Sequence, residues 1–519
     1  MNKKRLVCLF LVLQLLLSAA AGCSKTDDSA VSDSPDTHSG DASVTDAEIT
    51  DAPAEETEPE NARSSAKDNL PEDLDYNGAA INIVYRNEEY YSNWDMLGTE
   101  NSGDIIWDAI WLRNMKVEER LNLDMNIQPT QSEGLSNVAA ELKNMVYAGV
   151  NDYDIISSTA NTTVTQSLYP FLYELSDLSY LEITQPWWRT SAIEELALEE
   201  GRYRYLLGDH TLNNYLKCGV IFYNKNMYTD TYGNADEMYE LVLDGTWTYD
   251  ELTSRTATAY MDLNGDGTPN PGDAFGLMVP SGYSEATVHM IYSCDIDTYT
   301  RKEGGAFDLS PFNNERIINS MDKIIQLLHN TPGVYQSDKG IDASLDYFAQ
   351  NYSLFWSGRL TNAVTAAFRE MESDYGILPM PKYDTAQEDY VTLIHSSTTV
   401  TCVPKSISPD KLDMAGAVLE AWASEAYRQV ITPFIESALK SKYSRDALSG
   451  QVIDLIFENP MLSFLDMYGG NTGSLLNNTV ISNLASGQNN FASKIAANLK
   501  GAQKVLDRYL SDIVESDGG

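Results

Sequence analysis

Ala80-Ile81-Asn82-Ile83-Val84 is a short apolar run, and the residues after it decide the fold. Ile105, Ile106, Ala109, Ile110, Leu112 and Met115 recur at helical spacing, with Asp104 near the start. Leu123 to Ile127 alternates like a strand, and Leu135 to Tyr147 has a helical pattern. Gly149-Val150-Asn151-Asp152 forms a turn before a third strand at Tyr153-Asp154-Ile155-Ile156. Strands that alternate with helices predict βαβ units around a parallel sheet, hence an α/β fold. No internal repeat of fixed period is visible.

Further along, Tyr205-Leu206-Leu207 and Gly219-Val220-Ile221-Phe222-Tyr223 read as strands joined by the polar run Gly208 to Asn214. Helix-rich sequence is expected to about Gly340. Strand signals return at Tyr352-Ser353-Leu354-Phe355-Trp356 and from Thr398 to Val403, which ends at Pro404. From Leu412 onward the pattern is amphipathic helix, with Ala415, Val418, Leu419 and Trp422 on one face.

The N-terminus carries an address. Lys3, Lys4 and Arg5 precede an apolar run from Leu6 to Ala21 broken only by Gln14 and Ser18, the shape of a secretory signal over 1–22. Ala20-Ala21-Gly22-Cys23 resembles the lipobox of bacterial lipoproteins, which implies lipidation of Cys23 and tethering without a membrane-spanning helix. Ser24 to Asp75 holds 16 acids and 3 bases, a net of −13, with almost no large apolar residue. Such a segment cannot bury enough surface to offset its ordering entropy, so 23–75 reads as a lipidated cysteine followed by a disordered acidic linker.

Composition narrows the function. With 519 residues, the chain is too long for one ordinary core, and two lobes are expected. There are 76 Asp and Glu against 35 Lys and Arg, for a net charge of −41, so no basic stripe exists to neutralise the phosphates of a nucleic acid. Five cysteines, one of them in the leader, exclude a disulfide framework; Cys218, Cys294 and Cys402 are expected as buried free thiols. The 31 Tyr against 13 Phe favour surfaces that are apolar and hydrogen-bonding together, which suits polar ligands such as sugars.

Several stretches spread over 76–519 carry a family resemblance. They are Gly103-Asp104-Ile105-Ile106-Trp107-Asp108-Ala109-Ile110-Trp111-Leu112-Arg113-Asn114 with Val117-Glu118-Glu119-Arg120, Pro186-Trp187-Trp188, and Val220-Ile221-Phe222-Tyr223-Asn224-Lys225. Gly245-Thr246-Trp247-Thr248-Tyr249-Asp250-Glu251-Leu252 and Tyr375-Gly376-Ile377-Leu378-Pro379-Met380-Pro381-Lys382 complete them. In this order they resemble the extracellular solute-binding proteins of carbohydrate ABC importers, within the larger group that includes maltose-binding proteins. The resemblance implies a two-lobe, periplasmic-binding-protein-like (type II) fold with an interlobe cleft and hinge strands. Carried onto this chain, the crossings fall near Asp209 to Lys217 and His395 to Cys402. Lobe one then combines 76–212 with 342–395, and lobe two combines 213–341 with 396–519. It further implies a monomer, lipid-anchored on the outer face of a bacterial cytoplasmic membrane, that delivers a carbohydrate to permease subunits of an ABC transporter.

Pyranose rings stack their C–H faces on aromatic planes while their hydroxyls take fixed polar partners. Trp187 and Trp188, in a loop after Pro186, are candidate ligand-binding residues, set against a reading as core plugs. Trp356 and Arg359, at a strand end that the resemblance places at the cleft, are candidates for stacking and for hydroxyl binding. Asp209, at the first crossing, and Glu100, ahead of the first helix, complete the set. Trp107 and Trp111, four apart on one helix, have ordinary core spacing.

Asp262, Asn264, Asp266, Thr268, Asn270 and Asp273 stand at positions one, three, five, seven, nine and twelve of a loop with Gly267 at six. That is the spacing of a calcium loop, with Thr268 offering its backbone carbonyl and a shorter Asp273 where Glu is usual, so a structural Ca2+ is expected. The alternative is a metal-free Asn/Asp/Gly turn. No Gly-x-Ser-x-Gly, His-Glu-x-x-His or Walker-type loop is present, and the chain is expected not to be an enzyme. The alternatives are a glycan-active enzyme using two facing carboxylates and a sensor-accessory protein without a transport role.

Overall fold

The computed structural model describes residues 63–87, 93–133, 135–161, 168–280, 284–302, 306–337, 340–436, 447–458 and 460–517, all within the unit from Pro59 onward. The expected signal peptide, Cys23 and most of the expected linker lie outside the described residues. The end of that linker does not, and here the expectation is corrected. Asp68 accepts both guanidinium nitrogens of Arg120 at 2.7 Å, and also hydrogen bonds from Ser424 Oγ (2.9 Å) and Arg428 (3.2 Å), while Leu70 is buried. A composition count sees Asp68 as one more solvated acid; two arginines brought together by folding make it an anchor.

The strands, in chain order, begin with β1 (Ala79–Asn87), β2 (Leu123–Glu133), β3 (Ile155–Thr159) and β4 (Gly219–Asn224). They continue with β5 (Phe275–Pro280), β6 (Val334–Ser337), β7 (Ser353–Arg359), β8 (Tyr375–Pro379) and β9 (Thr399–Cys402). The helices used below are α1 (Ile105–Leu121), α2 (Leu135–Tyr147), α3 (Tyr249–Ala259), α4 (Ser284–Tyr292), α5 (Gly340–Ala349) and α6 (Leu412–Ala426). The strands form two separate large sheets, of order β9-β3-β1-β2 and β8-β4-β7-β5-β6. In the first, β1 lies parallel between β2 and β3, and β9 closes the edge antiparallel to β3. In the second, β5 is parallel to β6 and β7, while β4 is antiparallel to β7 and β8.

Helix α1 forms where the sequence placed it. Asp104 caps it by accepting from the N–H groups of Ile106 (2.9 Å) and Trp107 (3.3 Å), and Asn122 ends it in the left-handed region. Its inner face is Ile106, Ile110, Arg113, Asn114, Val117 and Leu121. Trp107 is therefore turned outward, 40% exposed, against the expectation of core spacing. The buried stripe runs one position round from the tryptophans.

Three strands of the two large sheets escaped the sequence reading, among them β8 (Tyr375–Pro379), quoted there only for its resemblance. Phe275-Gly276-Leu277-Met278-Val279-Pro280 and Val334–Ser337 fall in a stretch expected to be helix-rich. Strand β5 is buried at every residue, so it has no period-two signal. Gly276 is required there: a Cβ would overlap the Thr256 backbone of α3, which crosses directly above.

The expected lobe composition is corrected as well. Residues 342–395 were assigned to lobe one, yet β7 and β8 belong to the second sheet, where Trp356 packs on Phe222 and Phe368. Residues 396–519 were assigned to lobe two, yet β9 pairs with β3, and Trp422 of α6 donates to Asn114 of α1 (2.9 Å). The chain thus returns to the first sheet one crossing later than expected. The crossing segments themselves pair with each other. Leu206 and Thr401 exchange backbone hydrogen bonds (2.8 and 3.0 Å), and the His395 N–H donates to the Lys217 carbonyl (3.0 Å).

Candidate functional site

In an open parallel sheet, a crevice forms outside the carboxyl ends of strands where their order reverses. Here that point lies between β1 and β3, because α1 leads from β1 to one neighbour and α2 leads back to the other side. The side chains found there are Tyr85 and Arg86 from β1 and Ser157, Ser158 and Thr159 from β3. Asn213 and Lys217 of the first crossing, with Ser397 and Thr399 of the second, close the crevice. Its volume is about 10 Å³, room for roughly one water molecule. A sugar enters only if the two halves separate.

The walls form a buried polar network. Asp95 accepts from Thr211 Oγ1 (2.5 Å) and Asn213 Nδ2 (3.2 Å), and Asn213 also donates to Thr399 Oγ1 (2.9 Å). Burial pushes the Asp95 carboxyl up to about 6, against the pull of Thr211, Arg113 and Lys217. Arg113, reaching in from α1, donates to the carbonyls of His210 (2.8 Å), Met96 (3.1 Å) and Asp95 (3.3 Å). From the second sheet, Arg359 donates to Ser397 Oγ (3.3 Å), and His395 Nδ1 lies 2.7 Å from the same hydroxyl. His289 of α4 stands edge-on to His395, with centroids 6.0 Å apart. Burial pushes His289 down to about 3; burial, then Arg359, His289 and Lys217, push His395 well below the usual imidazole range. Both rings are therefore neutral at pH 7.

Of the residues singled out in the sequence, Arg359 reaches this network. Trp187 and Trp188 do not: both are buried, and their indole N–H groups donate to the two oxygens of one carboxylate, Glu420, at 3.0 Å each. Trp356 is fully buried, donates to Ser344 Oγ of α5 (3.0 Å), and offers no face to a ligand. All three are core plugs in this conformation. Asp209 is buried between Arg189 (2.9 Å) and Tyr215 (3.0 Å), which fix the first crossing. Glu100 is exposed in the turn ahead of α1. The residues missed were Arg86, Ser158, Asn213, Lys217 and Thr399. For Arg86 and Ser158 the signal was a polar residue soon after the apolar strand cores Ile81–Val84 and Ile155-Ile156, and for Asn213, Lys217 and Thr399 it was their place in the two expected crossings.

Glu420 offers a check on this burial. Desolvation raises its carboxyl to about 7 despite both indole donors. A carboxyl with a higher pKa in the folded chain binds its proton more tightly there, so its contribution to stability falls as pH rises from about 4.5 to about 7. Glu420→Gln is expected to flatten that part of the Tm-against-pH curve; an unaltered slope would contradict the placement.

In the 262–273 loop, Asp262 accepts from the N–H groups of Gly265 (2.7 Å) and Gly267 (2.9 Å), both glycines having positive φ. Asn270 Nδ2 bridges Asp266 Oδ2 (2.9 Å) and the Thr268 carbonyl (2.8 Å). Asp273, buried, accepts from the N–H groups of Leu263 (3.2 Å) and Asn270 (3.1 Å). The donor chemistry fits a hard cation, and Asp266 and Thr268 already converge on one point. Among the described residues, however, no three His, Cys, Asp or Glu side chains are gathered closely enough to hold a metal. Cys218, Cys294 and Cys402 are free and buried, as expected. Among the described residues, no helix is long and apolar enough to cross a membrane.

No protein-family model matches the sequence, and no curated protein matches it. Solved structures do. An ABC transporter solute-binding protein from Thermotoga lettingae TMO, bound with alpha-D-tagatose, superposes with a TM-score of 0.50 at 15% identity, covering 83% of this chain and 100% of that one. Maltose-bound MalE3 of T. maritima gives 0.48 at 13% identity, covering 84% of this chain and 100% of its own. With two sheets, paired crossing segments and the first of these superpositions, the chain has the two-lobed α/β fold of a solute-binding protein.

Proposed function

We propose that this chain is a lipid-anchored, extracellular solute-binding protein that captures a carbohydrate by closure of its two halves and hands it unaltered to an ABC transporter permease. The observation that carries this reading is the polar crevice at the switch point of the first sheet, lined from both crossing segments and reached by Arg359 from the second sheet. Hinge motion about the paired segments 206–218 and 394–401 opens it. The tagatose-bound neighbour supports a sugar as the solute. Cys23 holds the anchor, and the acidic segment behind it spaces the protein from the membrane. The protein works as a monomer and without catalysis.

A calcium ion in the 262–273 loop belongs to the same reading, as a structural pin in the half built on the second sheet. The order of its oxygen donors and the amide-bridged pair Asp266 and Thr268 support it.

The test is a thermal-shift screen of mono- and oligosaccharides with and without calcium, followed by calorimetry and analysis of the recovered sugar. The expected result is a rise in Tm with a saccharide that is recovered intact, and a separate rise with calcium that Asp266→Ala removes. A cleaved saccharide would favour the glycan-active enzyme. Binding to a receptor domain with no small solute bound would favour the sensor-accessory protein.

A further inference from the structure

The halves also meet at a second junction, apart from the crossing segments. The helix Thr190–Leu196 belongs to the half built on the first sheet, because Trp187 and Trp188 just ahead of it are held by Glu420 of α6. Its last turn is held by residues of the other half. Tyr299 Oη donates to Glu195 Oε2 (2.7 Å), and the Phe464 N–H donates to Glu195 Oε1 (3.3 Å). Arg301 donates to the Glu194 carbonyl (2.6 Å), and Tyr468 Oη to the Leu196 carbonyl (2.7 Å). Tyr299 and Arg301 follow α4 in the chain, and Ser463, next to Phe464, donates to Tyr292 Oη at the end of α4 (2.5 Å). Helix α4 packs on the second sheet, where its His289 ring fills the space that a Cβ on Gly219 of β4 would take.

The last carbonyls of a helix have no partner within it, and a cation placed there is stabilising. Here a guanidinium and a phenol from across the divide take that place. Glu195 depends on the other half in the same way. Burial raises its carboxyl, and the groups that pull it back down are Tyr299, Phe464 and Arg301. None of these residues lies in the crossing segments, so rotation about those segments displaces the junction. A hydrogen bond of 2.7 Å is lost beyond about 3.5 Å, a movement smaller than the thickness of a sugar ring.

We propose that this junction is an autoinhibitory latch: the contacts of Tyr299, Arg301, Phe464 and Tyr468 with the end of the helix Thr190–Leu196 hold the halves shut and keep the solute out. The proposal rests on the reading of capture by closure above and adds its regulation. In the shut arrangement the crevice has room for roughly one water, so a sugar binds only to arrangements in which the latch is released. The bound form closes over the sugar but stays wider than the shut form. Apparent affinity is then lowered by the fraction of the chain that the latch holds shut. Weakening the latch therefore tightens binding while it lowers stability, a pair of effects that a purely structural contact does not produce.

The test uses the full chain with Tyr299→Phe, Arg301→Met and the two combined, folding being checked by circular dichroism. Spin labels at the exposed positions Asp124 and Asp230, one in each half, report the separation without any saccharide. Each variant should move the distribution toward longer distances, the combined variant most, and Arg301→Lys, which keeps the charge, less than Arg301→Met. Calorimetry with D-tagatose, maltose and maltotriose supplies the second readout. For a saccharide that binds, Kd should fall about threefold to tenfold in the combined variant although its Tm falls. An unchanged distance distribution would overturn the latch and leave the solute-binding function standing. An unchanged or higher Kd would overturn it too, because the junction would then persist in the bound form. Longer distances with no saccharide bound would support the latch and count against the carbohydrate reading instead.

Discussion

Trp356→Ala is expected to lower folding stability by about 3–5 kcal/mol, the range for truncating a fully buried aromatic side chain. The indole sits at the centre of a ring cluster, with centroids 5.6 Å from Phe222, 6.0 Å from Phe368 and 6.4 Å from Phe348. Removal leaves a cavity that three strands of one sheet cannot easily collapse, and it leaves Ser344 Oγ without its donor. The neighbouring backbone is shaped to the ring, since a Cβ on Gly358 would overlap it. Chemical denaturation of the variant measures the loss. A stable variant with weakened sugar affinity would instead make Trp356 a stacking platform and contradict its placement in the core.

Arg113→Leu is expected to cost a similar amount, about 3–5 kcal/mol, because it breaks a buried charge network from one side. The guanidinium lies over the Trp422 ring at 5.1 Å and donates to the carbonyls of Asp95, Met96 and His210. It also draws the buried Asp95 carboxyl toward its charged form. Without it those carbonyls lose their donor, and Asp95 keeps Lys217 as its cationic partner at longer range. Because the His210 carbonyl belongs to the first crossing segment, the variant should also loosen the hinge. Hydrogen exchange across 206–218 should therefore rise more than across β2. Uniform exchange would mean that Arg113 stabilises α1 alone.

The first βαβαβ unit was legible because its signals are local. Asp104 announces a helix, the apolar stripe of α1 has a clear period, and the strands are bounded by turn residues. The crossing segments were legible as well, since polar runs between apolar strands stand out. Strand β5 was not, because a strand covered on both faces carries no alternation. The lobe assignment failed because strand order is a matter of long-range pairing: nothing within Ser353–Arg359 says that it lies beside Gly219–Asn224. The site was only partly legible for a related reason. Trp187, Trp188 and Trp356 drew attention as rings able to stack on a sugar, but Glu420 and Ser344, distant in sequence, satisfy their N–H groups and make them core. Arg86 and Ser158 looked like ordinary strand ends, and their meeting in one crevice with Lys217 of the first crossing depends on the order of β1 and β3. The docking of Asp68 likewise depends on two arginines from separate helical segments.

Capture by closure requires motion between the halves. Spin labels at the exposed positions Asp124, on β2, and Asp230, in the helix following β4, report the distance between the two sheets. A crevice with room for about one water must open to admit a sugar. The ligand-free chain should therefore show a broad distance distribution with a long component, and a bound saccharide should collapse it to a single shorter distance. One narrow distribution, the same with and without a bound saccharide, would contradict capture by closure.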